Sequence, residues 1–149
     1  MITLSRYSWN DWRRERGWKL RQRLIGLAAI IGGLLLVAGT LVPWLTLFAG
    51  LRSLSGLTGA NGPILLAGGM LSVLAGLWSL VRFGTTVRWS IGLLGFVLLA
   101  WTSWLSIQLM ATYRSLAADP FTVAALGPGL FVAVGGALLL FLTLFLGDV

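Results

Sequence analysis

LIGLAAIIGGLLLVAGTLVPWLTLFAGL, residues 24–51, runs without a single Asp, Glu, Lys or Arg. A bilayer core about 30 Å thick takes roughly 20 apolar residues at 1.5 Å rise each, so this stretch exceeds one helical crossing. Pro43 lies inside it, removes a backbone donor and clashes with the preceding turn, so the helix is expected to kink or end near Val42. Pro43-Trp44 then reads as a membrane boundary.

Working outward, three more uncharged stretches follow, at 63–81, 89–113 and 124–147. Of the 149 residues, 58% are hydrophobic and 10% charged, which leaves too little polar surface to clothe a soluble core of this size. The expected fold is an all-α integral membrane protein, a bundle of four transmembrane helices over 24–149 preceded by a basic, Trp-rich segment at 1–23. The apolar run of 24–51 exceeds the core of a cleaved signal peptide and no A-x-A site follows it, so the first span is expected to stay attached.

Arg6, Arg13, Arg14, Arg16, Lys19, Arg21 and Arg23 precede the first span, and Arg82 and Arg88 flank the second connection. Only Arg52 and Arg114 fall in the first and third connections, so the positive-inside rule places both termini in the cytoplasm. The net charge of +7 is therefore mostly a topology signal, and nucleic acid is not an expected partner. Trp9, Trp12 and Trp18, interleaved with the basic residues, suit headgroup-level anchoring; the same segment could instead form a docking helix for a partner. Trp44, Trp89 and Trp104 are further expected interfacial anchors.

The two hairpins carry the same features in the same order. Trp44-Leu45-Thr46 matches Trp104-Leu105-Ser106, Arg52-Ser53-Leu54 matches Arg114-Ser115-Leu116, Gly62-Pro63 matches Gly127-Pro128, and Gly68-Gly69 matches Gly135-Gly136. Two parallel hairpin repeats, related by an axis along the membrane normal, would leave this order. So would chance in an alphabet dominated by Leu, Gly, Ala and Trp.

Small residues recur at four-residue spacing: Gly68, Ser72 and Gly76 on one helix, Gly129, Ala133 and Ala137 on another, and Ala28 with Gly32 and Ala29 with Gly33 on the first. In lipid, where hydrophobic burial does not drive helix association, such stripes permit close backbone approach. Internal packing and a surface for self-association or a partner are the two uses open to them. Gly68→Leu and Gly76→Leu are expected to overfill a close contact.

The chain has no Cys and no His, and its carboxylates are Asp11, Glu15, Asp119 and Asp148 alone. No acid–base constellation is available in the spans, so no enzyme and no metal site is expected. His-ligated haem or chlorophyll is excluded, whereas bound lipid is compatible. Asp119-Pro120 reads as a turn or cap. Arg52 and Arg114 together suit an external anion such as a lipid headgroup, or remain solvated. The loop 53–63 has glycines at 56, 59 and 62 but no phosphate-loop Lys, and reads as a compact turn. The spans offer only scattered polar groups, among them Thr40, Ser72, Thr102 and Gln108, and Gln108 is expected to face protein or the interface. No charged residue marks an ion-coupled transport path.

Val42-Pro43-Trp44, Ser55-Gly56-Leu57, Asn61-Gly62-Pro63 and Leu126-Gly127-Pro128-Gly129-Leu130 resemble, in type and order, small four-span bacterial membrane proteins such as the tryptophan-operon-associated membrane protein family. The resemblance implies a bacterial inner membrane and carries no activity. The function expected is that of a non-enzymatic accessory or structural subunit packing against other membrane proteins or itself. The alternative is a small oligomeric transporter or lipid-binding protein for uncharged or lipid-like ligands.

Overall fold

The computed structural model describes residues 9–47, 52–58, 61–82, 85–117 and 124–147, apart from the side chains of 9–19, 21, 52, 85, 117, 124 and 147. The described chain is mostly helical. Helix α1 spans Trp9–Leu41, α2 Gly62–Val81, α3 Thr85–Ala117 and α4 Gly129–Leu142. Strands β1 (Pro43–Leu47), β2 (Arg52–Ser55) and β3 (Ala124–Leu126), with single 3-10 turns at Gly56–Thr58 and Phe145–Gly147, complete it.

α1 is continuous from the basic segment into the apolar one; its 33 residues extend about 50 Å. It stops at Leu41 because Pro43 has no N–H and constrains the residue before it, and Val42 makes the last helical bond, to Ala38 O at 3.0 Å. The uncharged stretch beyond it is therefore not helix. Pro43–Leu47 forms the central strand of a three-stranded antiparallel sheet in the order β2-β1-β3. Leu45 stands opposite Leu54 on one side and Leu126 on the other, with an irregularity between Pro43 and Leu45 where the proline cannot donate.

This sheet corrects the all-helical expectation. Pro43 and Pro128 lack the N–H that a continuing helix would need, and cross-strand pairing satisfies the backbone groups of the strands instead. It also shortens the fourth helix. The 124–147 stretch divides into β3, a Gly127-Pro128 corner whose Gly127 N–H donates to Trp44 O at 2.8 Å, and a 14-residue α4 about 21 Å long. α3 is longer than expected, 33 residues rather than the uncharged 89–113, because Arg88 and Arg114 are compatible with helix at its ends. Gln22–Leu41, Gly62–Val81 and Thr86–Leu116 are long and apolar enough to cross a membrane.

α1 is the hub. α2 and α4 lie on two of its faces, and α3 packs along α4 while meeting α2 less closely. Ala29 and Leu36 of α1, Leu65 of α2, Leu98 of α3, and Ala133 and Leu140 of α4 meet in one core. Outward-facing residues on the long helices are also large and apolar, including Ile31, Leu34, Met70, Leu74, Phe96, Trp104 and Ile107. A water-facing surface would not tolerate so continuous an apolar coat; hydrocarbon does.

Candidate functional site

The close contacts that α1 makes follow glycines spaced by seven residues. On α1, Gly26 and Gly33 face α2, and Gly32 and Gly39 face α4. A Cβ on Gly33 would stand 2.7 Å from Gly69 O, and one on Gly76 would stand 2.9 Å from Gly26 O. Across the other seam, a Cβ on Gly136 would lie 2.7 Å from Gly32 O, and one on Gly39 only 2.5 Å from Ala133 N. Seven residues are close to two turns, so each glycine pair stays on one face with a drift of about 20°, which a left-handed crossing absorbs. Backbone therefore lies on backbone along both seams.

The four-residue stripes divide accordingly. Gly68 faces the side chain of Leu98 on α3, Ser72 is buried and donates to Gly68 O at 2.8 Å within its own helix, and Gly76 faces α1. Four-residue steps rotate around α2, so these three residues serve different neighbours. Gly129 packs on Gly39 O and Val42 O, Ala133 on Gly39, and Ala137 is fully buried. Gly32 faces α4, while Ala28 is half-buried. Gly39, Gly69 and Gly136 are the contacts that four-residue spacing overlooks, whereas Gly33 was paired with Ala29 by it; the seven-residue spacing marks all four.

Trp44, expected at the headgroups, is buried. Its indole Nε1–H donates to Gly39 O at 2.7 Å, and its ring lies under Gly56 and beside Gly129. The cause is Pro43: the Gly39 carbonyl would ordinarily accept from the N–H four residues on, which proline lacks, and the next side chain supplies the donor. Trp89 and Trp104 are exposed, on α3. The side chains of Trp9, Trp12 and Trp18 lie outside the described residues, as does that of Arg52; Arg114 is exposed in the last turn of α3.

The hairpin correspondence holds at some points and fails at others. Gly62-Pro63 and Gly127-Pro128 each precede or open a returning helix, and Gly69 and Gly136, the second members of the two Gly-Gly pairs, both dock on α1. Trp44 and Trp104 differ, one in a strand and buried, the other within α3 and exposed. Gly68 is covered by Leu98, whereas a Cβ on Gly135 would meet nothing within 4 Å.

Among the described residues the fully buried hydroxyls are satisfied locally. Thr40 bonds Val37 O, Ser79 bonds Gly76 O, Thr102 bonds Leu98 O and Thr143 bonds Leu140 O, at 2.6–2.9 Å, like Ser72 within their own helices. Gln108, expected against protein or the interface, is exposed on α3. Among the described residues no three potential metal ligands come together; Asp11, Glu15, Asp119 and Asp148 have no described side chains.

Between the sheet, the first 3-10 turn and α3 lies a cavity of about 300 Å³, walled by Trp44, Leu54, Leu105 and Leu109 and rimmed by Ser55, Thr58 and Thr112. Another, about 290 Å³, lies between α3 and α4 beside Met110, Leu130 and Phe131. A wedge of about 410 Å³ opens between α2 and α3 at the opposite end from the sheet. No family model, curated protein or solved structure matches this chain.

Proposed function

We propose that this chain is a four-span protein of a bacterial inner membrane, with both termini in the cytoplasm, which acts as a non-catalytic accessory subunit packing against other membrane proteins. The observation that carries this reading is the division of polar and apolar groups. Among the described residues each fully buried hydroxyl is satisfied within its own helix and none of them is charged, while large apolar side chains face outward. α4 contributes a fourth crossing when the turn and 3-10 residues that extend it to Gly147 are counted. The basic residues flanking α2 and α3 and preceding the first span support the orientation.

Purification from the source membrane in a gentle detergent or native nanodiscs, followed by mass determination, tests this. A larger complex in fixed stoichiometry is expected. A lone monomer or a homo-oligomer would overturn the accessory role.

A second reading, binding of a lipid-like ligand, is supported by the sheet-end cavity. Its volume is at the lower end of small-molecule sites, and it joins an apolar wall to hydroxyls without a charged lining residue. An uncharged amphiphile suits that lining. Mass analysis of molecules retained by the purified chain tests it, and an empty cavity after mild extraction would count against it.

A further inference from the structure

A cation lies close to one lining residue of the wedge between α2 and α3. Leu71, Leu74 and Ala75 of α2 and Val87 of α3 form its apolar walls, Trp78 stands at its mouth, and Thr86 and Ser90 lie on the α3 side. Arg82, exposed and directly after α2, holds its guanidinium carbon 5.9 Å from the Trp78 ring centre, so its charge sits beside the mouth. Deeper in the seam Leu98 covers Gly68 and brings the helices together. From Leu71 to Trp78 the wedge runs about 10 Å along α2, less than two helical turns. A groove this short holds less than two turns of a partner helix, or part of one acyl chain whose remainder lies in the bilayer.

We propose that this wedge binds one anionic glycerophospholipid, with an acyl chain along Leu71, Leu74 and Val87 and its phosphate on the Arg82 guanidinium. Charge complementarity selects the occupant. The wedge lies at the end where the basic residues gather, and that leaflet is the one enriched in anionic lipid. Trp78 suits the boundary between acyl chain and headgroup. The Thr86 and Ser90 hydroxyls lie within the same lining, although Ser90 already donates to Thr86 O at 3.0 Å. The inference rests on the membrane-spanning reading and on the cytoplasmic placement of the basic residues, but not on an accessory role.

The test is native mass spectrometry of the full chain in detergent micelles, titrated with phosphatidylglycerol or phosphatidylcholine. Incorporation into phosphatidylcholine nanodiscs is scored first, so failure to enter a membrane is distinguished from failure to bind the anionic lipid. Wild-type protein should retain phosphatidylglycerol preferentially. Arg82→Gln should lower that retention about fivefold, the effect of one cation near a lipid surface, and leave phosphatidylcholine unchanged. Arg23→Gln removes the same charge from an exposed position on α1, a helix that contributes no residue to the wedge lining, and should retain the preference. Ser90→Trp, which fills the wedge from its exposed side, should lower retention of both lipids; an unchanged thermal transition separates this from misfolding. Equal retention of the two lipids by wild type, wild-type behaviour of Arg82→Gln, or an equal loss on Arg23→Gln would overturn the proposal. So would a Ser90→Trp variant that loses dimer mass instead of lipid, since a second copy would then occupy the wedge.

Discussion

The seams on either side of α1 and the seam between α2 and α3 are built from the same alphabet and end differently. Around α1, Gly32, Gly33 and Gly39 face backbone atoms of the neighbouring helix, which yield only if a helix is displaced, while Gly26 meets the side chains of Ser79 and Leu80. Between α2 and α3, Gly68 faces the end of one flexible leucine, and the helices separate into open space toward the Arg82 end. Close packing in lipid depends less on how many small residues a helix carries than on whether they meet backbone or side chain across the gap.

The severest challenge to this contrast is Gly33→Leu, which drives a branched side chain against Gly69 O and Val73. It should cost about 3 kcal/mol or more in unfolding measured in micelles. Wild-type stability would show that α1 and α2 do not meet in this register. Trp44→Phe keeps an aromatic side chain, smaller than the indole, and removes the donor to Gly39 O, at the top of the α1–α4 seam. A loss of about 1–3 kcal/mol is expected, and hydrogen exchange at the end of α1 should quicken.

A finer comparison pairs Gly76→Ala with Gly68→Ala. At Gly76 the new methyl would crowd Gly26 O and Ile30 N, at 2.9 and 3.0 Å, whereas at Gly68 its tightest neighbour is the terminal Leu98 Cδ2. The first should destabilise by about 1–2 kcal/mol and the second by less than about 1 kcal/mol. Equal losses in paired thermal melts would remove the distinction between rigid and yielding seams. Smallest is Gly135→Ala, where open space leaves only the gain in helix propensity, up to about 1 kcal/mol. If the variant is more stable alone yet is lost from the larger complex proposed above, that face of α4 is where a partner docks.

The helices were legible because their causes are local. Long uncharged stretches announce α2 and α3, and Pro43 announces the end of α1. The packing set was legible in kind but not in phase. Spacing by four gathers Gly68, Ser72 and Gly76 onto one stripe, yet α3 takes the first, its own helix the second and α1 the third. Trp44 was misplaced for a related reason. Tryptophan after a span suits the interface, but a neighbouring proline had left a carbonyl without its donor, and burial beneath Gly56 followed.

Composition, chain order and charge placement thus establish an apolar helical protein, the end of α1 and the absence of His and Cys chemistry, since each depends on residue type and near neighbours. The sheet register, the shortened α4, the burial of Trp44 and the pairing of Gly33 with Gly69 and Gly32 with Gly136 depend on where distant segments come to rest. A glycine is the same residue wherever it stands. Whether it becomes a hinge of packing, a seat for Leu98 or a bare spot like Gly135 is determined by the rotation of the helix across from it, and that rotation is a property of the assembled bundle.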